Sequence, residues 1–398
     1  MNRLSLAYPI LLIVLLSACN KPDRLDTSIR FDVDVPAATK TGTFINSEDS
    51  DLRNACTPAP AGRGQGIGLW AEMYRAGEAT PVRNVFSGVR LLYQAGAHDS
   101  QNDHLSWNTD QNLYWSPGER YYFRAYYPDT LVPAGNSTAS VLFIDYRPEQ
   151  LQEDLMLAYW HTGEIYFSGD PANGRYTNTS THIPLQFHHA LSALKFNFKY
   201  SYPNDDKLTA FWLENTGAGQ FQTFGMLAYG SGGVAAPSDA AAWDRSTTPD
   251  QVGREQLQWF QTVSPAAGVR LFEWAATEGN GPQFTGPRPG PQDPIIASAY
   301  TTTPANTQTG SVFIENEGWI YIIPQAIPTG TQICFKTQNS GDFVYRVNFP
   351  NSVGGDSSFL RAKRYEITLT INASDVDALI TILPWNKVDA YHSIDFSD

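Results

Sequence analysis

The run Ile183-Pro184-Leu185-Gln186-Phe187-His188-His189-Ala190-Leu191-Ser192-Ala193-Leu194-Lys195-Phe196-Asn197-Phe198-Lys199-Tyr200 carries apolar residues at Ile183, Leu185 and Phe187, then at Leu191, Leu194, Phe196 and Phe198. Side chains on a strand alternate between its two faces, so a period of two marks strands with one buried face. A change of domain is placed just before this run, near Thr181.

The same pattern recurs on either side. Ile29, Phe31, Val33 and Val35 alternate with Arg30, Asp32 and Asp34, which reads as a half-buried strand. Further strands are expected at Ile67 to Tyr74, Val85 to Tyr93 and Tyr121 to Tyr127. Beyond the boundary they are expected at Thr209 to Leu213, Gly225 to Tyr229, Trp319 to Ile323, Gln332 to Lys336, Phe343 to Phe349 and Arg364 to Ile371. Ser116-Pro117-Gly118 has turn chemistry. Glu278 to Thr309 is rich in Pro, Gly, Thr and Asn with little periodicity, and reads as a long surface loop or insertion. No apolar spacing supports a helix longer than about two turns. The expected fold is all-β, with two packed β-sandwiches over residues 29–181 and 182–398.

Composition agrees with strands and loops. Charged residues make up 17% of the chain, while 31 Gly, 26 Pro, 10 Trp, 20 Tyr and 21 Phe are present. The average charged share is about 25%, so surface helices are disfavoured. The formal net charge of −13 sets association with nucleic acid or another polyanion against repulsion.

The amino terminus has its own logic. Arg3 precedes an apolar run from Ile10 to Leu16, which leads into Leu16-Ser17-Ala18-Cys19. A spanning helix needs about 20 apolar residues, so residues 1–18 read as a signal peptide. Small residues followed by Cys19 resemble the lipobox of bacterial lipoproteins, and Cys19 is the expected lipidation site. A diacylglyceryl group plus an amide-linked chain anchors stably at about 0.8 kcal/mol per buried methylene. Residues 19–28 read as a flexible tether. Cys56 and Cys334 remain, far apart in sequence, as a disulfide or as two thiols.

Patterns that carry chemistry are sparse. Gly-x-Ser-x-Gly, His-Glu-x-x-His, a Walker loop and Cys-x-x-Cys do not occur. Gly62, Gly64, Gly66 and Gly68 alternate within a Pro/Gly-rich loop, unlike a phosphate cradle. His188 and His189 are adjacent and so point to opposite faces, which suits a structural pair better than a shared metal. Catalytic residues, metal ligands and cofactors are therefore not expected, and the chain reads as a non-enzyme. Trp243, Trp259 and Trp274 lie in a less regular region and are the candidates for exposed aromatic contacts. They supply the alternative reading, a surface carbohydrate-binding lipoprotein.

Several blocks in order resemble the fimbrillin family of surface lipoproteins from Bacteroidales-type bacteria. They are Ile29 to Val35 followed by Thr39-Lys40, then Tyr114-Trp115-Ser116-Pro117-Gly118 with Tyr122-Phe123-Arg124-Ala125-Tyr126-Tyr127-Pro128. Asp154-Leu155-Met156-Leu157-Ala158, Phe187-His188-His189-Ala190-Leu191-Ser192-Ala193-Leu194 and Ile382-Leu383-Pro384-Trp385 follow. The resemblance implies two tandem transthyretin-like β-sandwiches and export as an outer-membrane lipoprotein. It also implies a fimbrial (pilus) subunit, structural or accessory, that serves adhesion and assembles with other fimbrial subunits by strand exchange. A host or bacterial surface ligand would be its further partner.

On that reading the strand with Ile29, Phe31, Val33 and Val35 is the exchangeable one. It is bordered by candidate trypsin-like cleavage positions at Arg30 and Lys40. Ala378 to Phe396, with Leu379, Ile380, Ile382 and Leu383, is the candidate donor segment. Asp129-Thr130-Leu131 resembles a short O-glycosylation motif of these bacteria. Replacing Cys19 with Ala is expected to abolish incorporation of radiolabelled palmitate and to release the protein from the membrane fraction, read by autoradiography and fractionation.

Overall fold

The computed structural model describes residues 31–34, 49–58, 65–75, 78, 81–94, 107–109, 111, 119–131, 133, 137–138, 141–147, 154–161, 167–170, 175–178, 183–200, 208–217, 221–222, 224–230, 243–245, 250–252, 255–262, 271–277, 281–285, 308–311, 320–371 and 376–384. Among these, strands dominate and one helix occurs, Asp49–Cys56. No helix among them is long and apolar enough to cross a membrane.

The first sheet has seven strands in the order Phe31–Asp34, Ile183–His189, Met156–His161, Glu119–Tyr127, Ile67–Arg75, Arg83–Tyr93, Trp107–Thr109. Only its leading pair is parallel. The two edge strands come within 8 Å of each other, Cα to Cα, so the sheet curls round its own core. Phe31, Val33, Leu69, Phe86, Phe123 and Leu185 fill that core. The helix closes it with Leu52, Ala55 and Cys56, an i, i+3, i+4 stripe that a strand-based reading of the sequence passes over. Curling is helped where the register between Leu69/Val89 and Trp70/Ser87 shifts around Gly88, whose φ of 75° suits a bulge that glycine adopts without strain.

A second core lies between two five-stranded sheets. One contains Gln308–Ser311, Ser192–Tyr200, Lys363–Ile371 and Val376–Pro384, with Ile320–Ile322 also paired to Ser192–Tyr200. The other is ordered Gly281–Thr285, Phe272–Thr277, Leu208–Asn215, Thr331–Thr337, Tyr345–Asn348. Phe198 sits at its centre, with ring centroids 5.4 Å from Phe211 and 5.5 Å from Phe335.

The remaining large sheet joins the two. It pairs Val141–Tyr146 with Gly225–Gly230, then Glu255–Thr262, which holds both Trp243–Arg245 and Asp250–Val252. Leu142, Ile144, Tyr146, Leu227, Tyr229, Leu257 and Trp259 pack with Tyr126 and Leu157 on the outer face of the curled sheet. Leu191, Tyr321 and Ile323 complete this third core.

Three sequence expectations change. The boundary near Thr181 is not where the chain leaves the first sheet, because Ile183–His189 is a member of it, and the crossing falls at Ala190 to Ser192. Nor do the sheets divide into halves contiguous in sequence, since Val141–Tyr146 pairs along its length with Gly225–Gly230. The stretch Glu278 to Thr309 is not irregular throughout: Gly281–Thr285 pairs with Phe272–Thr277 and Gln308–Ser311 with Ser192–Tyr200. In each case the partner that makes the strand is remote in sequence, and no local pattern announces it.

The third core is tightly shaped around Gly68, where an added Cβ would run into the Tyr126 ring. Gly68→Ala should cost about 1 to 3 kcal/mol by overpacking, measured as a lower urea midpoint.

Candidate functional site

Two terminal strands and one junction hold the residues that sequence reading singled out. The leading strand is described over Phe31–Asp34, where it lies parallel to the next strand with Phe31 opposite Ile183 and Val33 opposite Leu185. Phe31 is 2% exposed and Val33 6%, so both fill the curled sheet's core. The Phe31 ring meets Phe123 edge-on at 6.0 Å and tilts against Phe86 at 6.4 Å. Among the described residues this strand has a ladder partner on one side only, and it closes the gap to the opposite edge strand. Ile29, Arg30, Val35 and Lys40 lie outside the described residues, as does Cys19.

The closing strand Val376–Pro384 pairs antiparallel with Lys363–Ile371 through nine positions. Val376, Ile380 and Ile382 are half-buried against the second core, while Leu379 on the other face is 66% exposed. Leu383 pairs with Arg364 in the ladder. Of the candidate donor segment, the part up to Pro384 is thus a strand of this sheet, and the part from Trp385 lies outside the described residues.

The junction is polar and deeply buried. His189 Nδ1 contacts the Asp154 carboxylate, with both side chains 1% exposed or less. Burial pushes the Asp154 carboxyl up, and the imidazole beside it pulls the other way. His188, on the opposite face as alternation requires, is half-buried. Its basicity is lowered by burial first, then by the electrostatic influence of Arg361 and of the neighbouring His189. Arg361 Nη1 donates to the His189 carbonyl at 2.9 Å, Ala362 N to Leu191 O at 2.8 Å, and Ser192 Oγ to Leu360 O at 2.7 Å. Ala190 N donates to Leu155 O at 2.8 Å, and Trp259 Nε1 reaches Ala190 O at 3.3 Å. The four residues His189 to Ser192 thereby tie the first sheet, the joining sheet and the second sandwich together.

Trp259, expected as an exposed contact, is instead 1% exposed and edge-on to Tyr146 at 6.4 Å. A tryptophan on a strand facing two apolar layers is driven inward whatever the irregularity of its sequence neighbourhood. The side chains of Trp243 and Trp274 are outside the described residues. Cys56 and Cys334 are buried in separate apolar clusters and are not joined in a disulfide. Asp129 of the Asp129-Thr130-Leu131 motif accepts from Gly66 N at 2.7 Å and pairs with Arg90, leaving Thr130 exposed on the turn.

A curled sheet whose edge is finished by a terminal strand, joined to a second β-sandwich, defines an all-β protein without an evident catalytic centre among its described residues. Residues 57–263 match the model of the fimbrillin-like family, a little over half of the chain, and the chain belongs to that family. Among solved structures, it is similar to a fimbrial protein from Bacteroides vulgatus, with 13% identity and a TM-score of 0.48 over 90% of this chain and 99% of that one. It is also similar to a protein assigned to cell adhesion from Bacteroides uniformis, with 14% identity and a TM-score of 0.45 over 90% and 100%. The tip fimbrial protein Mfa3 from Porphyromonas gingivalis, with C-terminal truncation, aligns at 12% identity and a TM-score of 0.34 over 81% and 94%. No curated protein sequence matches. The family assignment rests on the family match.

Asp154→Ala, which strands a buried imidazole, should cost about 3 to 5 kcal/mol in denaturant unfolding. His188 has a folded pKa below its ordinary value of 6.5, so the unfolded chain binds the proton more readily. Its contribution to stability should be complete above pH 6.5 and decline as pH falls below it. His188→Gln should flatten that part of a thermal-midpoint profile.

Proposed function

We propose that this chain is a fimbrial subunit of the cell surface, delivered as a lipoprotein through Cys19 and assembled with other fimbrial subunits by exchange of the leading strand. The observation that carries the reading is the position of Phe31 and Val33 within a fimbrillin-like chain: a terminal edge strand plugs the first core. Withdrawing it would bare Phe86, Phe123, Ile183 and Leu185 together with the backbone edge of Ile183–Gln186. A strand from a neighbouring subunit could satisfy both needs at once.

Magnitudes favour exchange over permanence. Burying Phe31 and Val33 contributes about 1.5 to 3 kcal/mol each. Ordering four residues costs about 1 to 2 kcal/mol per residue in backbone entropy. The ordering cost, about 4 to 8 kcal/mol, matches or exceeds the burial gain of about 3 to 6 kcal/mol, so the four described residues are held by little beyond their ladder with Ile183–Gln186, and cleavage after Lys40 would release them from the body. Of the donor stretch Ala378 to Phe396, the part up to Pro384 is tied along its length to Lys363–Ile371, so donation falls to the residues after Pro384. A structural role accords with the family, and the burial of Trp259 removes one of the three aromatics behind the carbohydrate-binding alternative.

Amino-terminal sequencing of protein sheared from cells, with unboiled gel electrophoresis of the same sample, tests the reading. A start at Thr41 and a ladder of multimers are expected, and Lys40→Ala should abolish the ladder. Lipid still on Cys19 in every subunit, with no multimers, would count decisively against assembly by exchange.

A further inference from the structure

The closing strand poses a separate question, because natural β-proteins rarely leave a long apolar edge open. Val376–Pro384 is nine residues long and forms the outer edge of its sheet, with no described strand beyond it. Asp377 is its only charged residue, and Pro384 stands only at its end. The other edges of this sandwich are guarded. Tyr345–Asn348 is four residues long and carries Arg346, Gly281–Thr285 contains Pro282, and Gln308–Ser311 is four residues of polar and small side chains. On the closing strand, Ala378 is exposed and Leu379 is 66% exposed, among the most exposed large apolar residues described.

We infer that this edge is the contact through which two copies of the chain pair side by side, joining their sheets across a two-fold axis at Ile380. The strand's own sequence argues for a second copy as the occupant. Antiparallel self-pairing centred on Ile380 sets Ala378 against the partner's Ile382, and Leu379 against the partner's Thr381. The two Leu379 side chains then cover each other diagonally on the outer face. Asp377 falls opposite the partner's Leu383, so the one charge on the strand never meets its own image. On the inner face, Ile380 and Ile382 continue the half-buried row that already packs on the second core, so the apolar layer would run unbroken across the axis. An isologous contact of this kind closes at two subunits and does not propagate. It is therefore distinct from head-to-tail assembly through the leading strand and does not depend on it.

The whole-chain charge gives the contact a second signature. Two copies at −13 each repel at long range, whereas the paired strands are nearly uncharged. Added salt should then strengthen the dimer, the reverse of its effect on a contact held by ion pairs.

Sedimentation velocity on the full chain carrying Cys19→Ala, which keeps lipid out of the measurement, tests the inference. The expected result is a monomer–dimer equilibrium that shifts toward dimer as salt rises. Leu379→Lys, at an exposed position, should keep the circular dichroism spectrum while weakening association about tenfold or more. Mixing Leu379→Lys with Leu379→Glu should restore a mixed dimer. A monomer at every concentration overturns the inference. So does a dimer indifferent to Leu379→Lys, or a ladder of larger species with the same indifference, since each would place association on another surface.

Discussion

The structure depends on how five residues, His188 to Ser192, carry the chain out of one sheet and into another. A polypeptide leaving the middle of a packed interface must satisfy its backbone groups without water. Here each is met by a different body: Leu155 from the first sheet, Trp259 from the joining sheet, and Leu360 to Ala362 from the second sandwich. The Asp154–His189 pair supplies a fully buried polar contact beside the crossing. A buried pair of this sort adds little net stability against an apolar replacement, but leaving either member alone is costly, and that asymmetry makes the crossing specific.

Around this point the three cores have different characters. The first is enclosed by one sheet that bends back on itself, so its integrity depends on whatever closes the gap, and the leading strand does so with two side chains. The second lies between two sheets and is rich in interlocked phenyl rings. The third is the contact between the others, built largely from Tyr126, Tyr146, Tyr229, Trp259 and Tyr321. Large amphipathic rings suit an interface in which apolar packing and a few hydroxyl or indole hydrogen bonds must coexist.

The two ends of the chain are treated unequally. The leading strand is short, parallel and tied on one side; the closing strand is long, antiparallel and tied through nine positions.

What the sequence by itself determined is the set of faces. Alternation at Phe31/Val33, at Tyr121/Phe123/Ala125 and at Tyr365/Ile367/Leu369 marked the buried side of each strand correctly, because a strand's period of two is a local property of the backbone. Adjacency on a strand likewise set His188 and His189 on opposite faces, one half-buried and one buried. Only the tertiary structure decided which strands became neighbours. Nothing local tells Val141–Tyr146 that its partner is Gly225–Gly230, or that Ile183–His189 stays with the first sheet while Ser192–Tyr200, two residues on, begins the second. The burial of Trp259 and the amphipathic turn of Leu52, Ala55 and Cys56 likewise followed from surfaces assembled across more than a hundred residues. Burial is a property of the assembled layers, and hydrogen-bond partners in a sheet are chosen by long-range packing, so these facts arise only once the chain has closed on itself.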